Sequence, residues 1–456
     1  MKSMKAGYII AVVLISLLAQ SIAADGPALP PGLGGASSPD TVRETAAGAS
    51  FEIPFSLYGY ADLRGGTRLQ SDPNQSGDIL GEARFQLGAD RQWDRTELEF
   101  VADFIWDFSS ARRGGVDIEE GKGWIDLRQA NISITPLRAI DMKIGRQILT
   151  WGTGDLLFIN DNFPKDWQAF FSGRDVEYLK APSDAIRAAF FTDAANLDIV
   201  YTPRFDSDRY ISGGRISYFS PALGRRAGED DQIDVLKPDR WFDDDEIAAR
   251  LHRTFGGVEV ALYGYTGYWK SPGGQNMDGQ AIFPRLNVWG GSARAPFAGG
   301  IGRLEAGYYD SRDDSDGSNP LINNSEWRAL AGYERDLAFI ARDLNLGLQY
   351  YVELMDDYSN YKAALPSGMP SRDEDRHVLT LRLTKLLMQQ NLEISLFAYY
   401  SPSDEDVYVR PDVSYQVDDN WQVYAGANIF AGREDYTFFG QFEKNTNAYG
   451  GLRYSF

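Results

Sequence analysis

The 456-residue chain has no cysteine and only two histidines, His252 and His377. Without cysteine there are no disulfides, no thiol chemistry, no lipid anchor on a cysteine and no covalently attached c-type haem. Two histidines leave little for a metal centre or a histidine relay, and no metal or cofactor is expected. Basic residues are also in short supply, with 45 Lys and Arg against 65 Asp and Glu and a net charge of −20. That balance lacks the basic footprint nucleic acid requires. Long apolar runs are missing as well. Past the N-terminus no stretch nears the ~20 residues a membrane-crossing helix needs, and mean hydropathy is negative.

What is abundant is aromatic and small: 25 Tyr, 25 Phe, 10 Trp and 46 Gly. High aromatic and glycine content with alternating hydrophobicity is the composition of a lipid-facing β-barrel. At the N-terminus, Lys2 and Lys5 precede an apolar run from Gly7 to Ala19, and small residues follow at Ser21, Ala23 and Ala24. This order predicts a signal peptide over 1–23. Residues 24–50, rich in Pro, Gly, Ala and Ser without apolar periodicity, predict a disordered periplasmic leader. The barrel is expected over 51–456.

From Phe55 the pattern has period two, which places alternate residues on opposite faces of a strand. In TELEFVADFIWDF, Leu98, Phe100, Ala102, Phe104, Trp106 and Phe108 share one face, and Glu97, Glu99, Asp103 and Asp107 the other. A soluble sandwich would alternate too, so the connections carry the distinction. Tight turns such as DRQWDR, TPLR near Pro136 and Phe255–Gly257 alternate with long polar loops such as those near 153–183, 204–243 and 356–374. Nine long loops and eight short turns predict an all-β, antiparallel transmembrane barrel of about 18 strands, with its turns in the periplasm of a Gram-negative cell and its loops outside. Spacing leaves ~10 residues per strand, as a tilted crossing needs. The terminal NAYGGLRYSF sets Ala448, Gly450, Leu452, Tyr454 and Phe456 on the outward face. A last strand ending on an aromatic resembles the signal read by the outer-membrane barrel assembly machinery. Outer-membrane lipid and lipopolysaccharide are the expected surroundings.

The polar faces then line the interior. Candidate pore-lining residues are Arg64, Arg84, Glu97, Glu99, Asp103, Lys143, Arg187, Arg303, Arg328, Arg382, Arg410 and Arg453. Ionisable groups at membrane depth are tolerated facing water or one another, and about half of these are expected to pair off. At 16–18 strands a barrel is wide enough for an aqueous channel unless loops fill it. The loop near 153–183 is unusually apolar and aromatic. Its candidates for a constriction are Trp151, Asp155, Asp161, Lys165 and Trp167. The loop near 204–243 is acidic, and Asp230, Asp231, Asp243, Asp244, Asp245 and Glu246 are expected to be solvated.

Residues 141–164, DMKIGRQILTWGTGDLLFINDNFP, resemble the corresponding region of alginate-export-type outer-membrane porins. The resemblance implies a one-chain, monomeric channel for an organic solute, often anionic. Acids on the inward face here match or outnumber bases, whereas polyuronate export calls for a basic conduit. A small polar solute or saccharide fits the mixed charge better. Two other readings remain at this stage: a sheath around a partner such as an electron-transfer cytochrome, and a surface hydrolase using His377. Against the hydrolase, Leu392, Ile394 and Leu396 occupy the facing positions of the neighbouring strand, and no serine is found there. DDSDG at 313–317 lacks the downstream glutamate of a calcium loop.

Overall fold

A computed structural model describes residues 55–109 and 115–456. The predicted signal peptide and leader lie outside these residues. Eighteen strands form one closed antiparallel sheet. We number them β1 (Ser56–Arg68), β2 (Asp78–Gln92), β3 (Thr96–Asp107), β4 (Ile125–Leu137), β5 (Ile140–Ile148), β6 (Pro182–Phe190), β7 (Asn196–Thr202), β8 (Glu246–Phe255), β9 (Val258–Tyr268), β10 (Arg285–Phe297), β11 (Gly300–Ser311), β12 (Glu326–Asp336), β13 (Leu344–Met355), β14 (Asp375–Leu387), β15 (Leu392–Ser401), β16 (Asp406–Gln416), β17 (Trp421–Gly432) and β18 (Asn447–Ser455). No helix among the described residues is long and apolar enough to cross a membrane.

Closure follows from the need to pair every backbone group where water is absent. β18 pairs with β1 from Tyr60↔Ser455 to Arg68↔Asn447. Phe456 extends that ladder, exchanging hydrogen bonds with Gly59 at 3.0 and 3.1 Å, and its ring stacks on Phe85 at 5.8 Å. Deleting Phe456 removes two net hydrogen bonds and one ring pair, about 2–4 kcal/mol together. The deletion variant should lose its heat-resistant folded band on electrophoresis at a lower temperature than the parent, and an unchanged transition would contradict the role assigned to this end.

Alternation sorts the faces as the sequence indicates. Phe100, Leu63, Leu262 and Leu304 are exposed on the outside, while Asp62, Arg84 and Asp103 are buried within. One bulge interrupts the β3–β4 ladder, where Val101 faces Gln129 but Ala102 faces Leu127. The extra residue is Arg128, which donates to the Lys180 carbonyl at 2.8 Å. Short ribbons at 218–220 with 225–227, and at 235–236 with 281–282 and 274–275, order the long loops; the alternation pattern gave no sign of them.

Candidate functional site: the lumen and its inner loop

The 33 residues between β5 and β6, 149–181, fold inward instead of standing off the rim. The segment crosses to the far wall, runs along it and returns. On the outward arm Glu305 of β11, 3% exposed, accepts from Thr153 N–H at 2.7 Å, Thr153 Oγ1 at 3.0 Å and Gly154 N–H at 3.1 Å. It also accepts from Asn160 N–H at 2.8 Å and the Asn160 amide at 3.0 Å. Gly152 permits this approach: its φ is +82°, and a Cβ there would sit 2.9 Å from Glu305 Oε1. Beside this latch, Gln349 brackets Asp155 with both ends of its amide, at 2.7 and 2.8 Å. Tyr399 donates to the Leu156 carbonyl at 2.8 Å and Tyr309 to that of Ile159.

The return arm contains a short helix, α1 (Trp167–Ser172), capped by Asp166, which accepts from Ala169 N–H, and ended by Gly173 at φ +90°. Phe170 and Phe171 pack into an aromatic cluster with Tyr408, Phe430 and Phe442, and Tyr408 stacks on Phe430 at 4.6 Å. Arg410 then holds the Arg174 carbonyl at 2.8 Å, and Arg174 pairs with Glu82 at 2.7 Å. Arg84 pairs with both Glu82 and Asp103 under the Tyr178 ring. A second strap, 203–217, lies over the first. Asp208 accepts from Lys165 N–H at 2.7 Å and Trp167 Nε1 at 3.0 Å, and Arg209 pairs with Asp126 at 2.7 Å.

The candidates thus fall into two groups. Arg64, Arg84, Asp103 and Arg410 are buried beneath the inner loop. Arg328 is clamped by Glu326 with its guanidinium 3.9 Å from the Tyr309 ring centre. Of the loop candidates, Asp161 and Lys165 form a buried ion pair at 3.0 Å that binds the loop to itself, and Trp167 is tied to Asp208. Trp151, Asp155 and Trp167 stay partly open. The acidic loop is not uniformly solvated as the sequence reading expected. Asp244 is buried against Arg240 and Tyr268, and Glu246 against Lys270 at 2.6 Å, because the strap folds over them.

The second group lies toward the turn end, and every couple in it but Arg453–Asp62 keeps at least one partly open member. Lys143–Glu99 at 2.9 Å, Arg187–Asp198 at 2.8 Å, Arg250–Glu259 at 2.6 Å, Arg303–Glu334 at 2.5 Å, Arg382–Asp155 at 2.5 Å and Arg453–Asp62 at 3.1 Å follow one another around the wall. Asp175 adds a second carboxylate 3.5 Å from Arg453. The wall members lie near the turn end of their strands, and Asp62, six residues past Ser56, is the farthest in. Glu97 is exposed at the rim. More of these charges are paired than the half anticipated. Glu334 was missed although it continues the inward alternation of Glu326 and Arg328; Asp175, on the loop, carries no such signal.

Asp155 gives a pH handle on the loop tip. Burial outweighs the nearby Arg382 and Arg303, so its carboxyl titrates above the ordinary carboxylate range. Linkage fixes the sign: a carboxyl raised on docking favours the docked loop at low pH, and that advantage fades as pH rises through the raised value. Current fluctuations should therefore become fewer as the pH is lowered from neutrality through the raised value. Asp155→Asn should remove the difference in bilayer recordings, and an unaltered pH profile would rule this origin out.

His252 faces the lumen, 3.4 Å from Asp198. His377 has both ring nitrogens engaged, Nδ1 by Tyr350 Oη and Nε2 by Asp375, each at 2.7 Å. Ser403, in the loop after the facing strand, accepts from the His377 backbone N–H at 2.8 Å and lies 3.4 Å from Ser401 Oγ, not on the imidazole.

No family model and no curated protein matches the sequence. Solved structures do. OccAB4 of Acinetobacter baumannii superposes with a TM-score of 0.55 at 9% identity, covering 88% of this chain and 98% of that one. OccAB3 of the same organism gives 0.51 at 10% identity over 88% and 99%. OccD3 (OpdP) of Pseudomonas aeruginosa gives 0.50 at 10% identity over 89% and 91%. The fold is that of an outer-membrane porin barrel. Kinship with the alginate-export type in particular finds no support among these porin-fold neighbours.

Proposed function

We propose that the protein is a monomeric channel of the Gram-negative outer membrane passing a small polar organic solute, with lipid and lipopolysaccharide around it and the assembly machinery reading its closing strand. The observation that supports this most is the inner loop. A barrel of this width left open would conduct indiscriminately; here a segment pinned by Glu305 narrows the lumen above a half-open, charge-lined vestibule. Selectivity set by wall charge and inward-folded loops is how pores discriminate. The same loop argues against a sheath, since the space a partner protein would need is occupied by the chain itself. The engaged ring of His377 argues against a hydrolase, whose base needs a free nitrogen beside its nucleophile. The wall's paired charges argue against a polyanion exporter. Purified protein in planar bilayers should give discrete current steps. A silent bilayer with lipolysis would support the hydrolase instead, and copurifying haem the sheath.

A further inference from the structure

Four of the couples near the turn end, Arg187–Asp198, Arg250–Glu259, Arg303–Glu334 and Arg382–Asp155, differ from the buried pairs above them in offering at least one well-exposed charge to the lumen. We propose that they form a filter for zwitterionic solutes, small molecules carrying a carboxylate and an ammonium group; this rests on the channel reading above. A ring of one sign attracts counter-ions and excludes co-ions. A ring of self-compensated couples has little net charge, and what field remains is screened beyond about 8 Å at physiological salt. At contact the situation reverses. In each of these four a cation and a carboxylate stand 2.5–2.8 Å apart, and one of them has an open side: 41% for Arg187, 40% for Glu259, 39% for Glu334 and 36% for Arg382.

A zwitterion can exchange with such a couple without leaving any charge unpaired. Its carboxylate takes the guanidinium fork, its ammonium takes the wall carboxylate, and one ion pair becomes two. A simple anion or cation satisfies only half of the couple and strands the other half, which is the costly outcome for partly desolvated charge. Arg294 adds to this along one side: it faces Glu259 on β9 and Arg303 on β11, so cations flank that carboxylate on both sides. Glu97, Asp141 and Glu393 are unlike the ring. They stand exposed nearer the mouth, where water and salt screen them.

The test uses the intact protein in planar bilayers and in liposomes, with β-alanine, propionate and n-propylammonium as probes of similar size. In a KCl gradient the potassium-to-chloride permeability ratio should stay within about threefold of unity. β-Alanine should enter liposomes at least about threefold faster than either ion. Glu259→Gln with Glu334→Gln should shift the reversal potential toward chloride and cut the β-alanine advantage severalfold, while Arg187→Gln should shift it the opposite way. Strong selectivity for one sign in the unmodified protein, or β-alanine entering most slowly, would overturn the filter and leave the channel standing. Neither current nor swelling would overturn the channel reading, and the filter with it.

Discussion

Replacing Glu305 by alanine is expected to raise the single-channel conductance severalfold and make the current flicker, with the strand content unchanged. The carboxylate gathers five donors from two separate stretches of the loop. Removing it leaves those donors in a buried site, at a cost of about 1–3 kcal/mol for each that water does not reach. If two remain unmet, the docked loop loses about 2–6 kcal/mol, which is more than tenfold in the docking equilibrium. Tyr309, Gln349 and Tyr399 still hold the loop near the wall, so the open state should come and go rather than persist. Glu305→Gln keeps an acceptor and should fall between. A conductance equal to that of the parent would show that the loop does not limit the pore.

Arg84→Ala should destabilise the barrel by about 3–5 kcal/mol, the usual result of removing one member of a buried ion pair. Arg84 bridges Glu82 and Asp103, and Asp103 is fully buried. Glu82 keeps Arg174 as a partner at 2.7 Å, so the stranded charge is chiefly that of Asp103. Adding Asp103→Asn removes that charge and should restore much of the loss, although the Tyr178 hydroxyl, which donates to Asp103 at 2.9 Å, keeps only a weaker acceptor. Because the sites are in contact, the two changes should be strongly non-additive. Thermal loss of the folded band, followed for both single variants and the double, measures the coupling, and additive losses would show that the two charges act independently.

The barrel was legible because it is written in two short-range signals: period two along each strand and the alternation of tight and long connections. Lipid accepts only apolar side chains, so outward positions such as Leu98, Phe100 and Ala102 cannot drift in register without exposing the charges between them. The lumen was legible to the same depth. Alternation places Lys143, Arg187 and Arg382 inside, but it does not reveal their partners, which come from neighbouring strands or from a loop, as Asp155 does. Nor does it separate the buried Arg84 from the half-open Arg187, because the difference is made by a loop passing over one and not the other. The aromatic content of residues 149–181 marked that loop as unusual. Among the constriction candidates, Asp161 and Lys165 bond to each other and are buried, a local solution that spacing four residues apart allows and that sequence does not distinguish from a pair facing water.

The same loop touches both strands that close the cylinder. Arg64 on β1 donates to the Gly173 carbonyl at 3.0 Å, and Asn447 on β18 donates to that of Phe171 at 3.1 Å. These two strands are the most distant in the chain, and their meeting is the last pairing the topology permits. Their contacts with the loop lie on the lumen side of the seam. The seam is therefore held twice, by the ladder between its own two strands and by a loop that staples it from within.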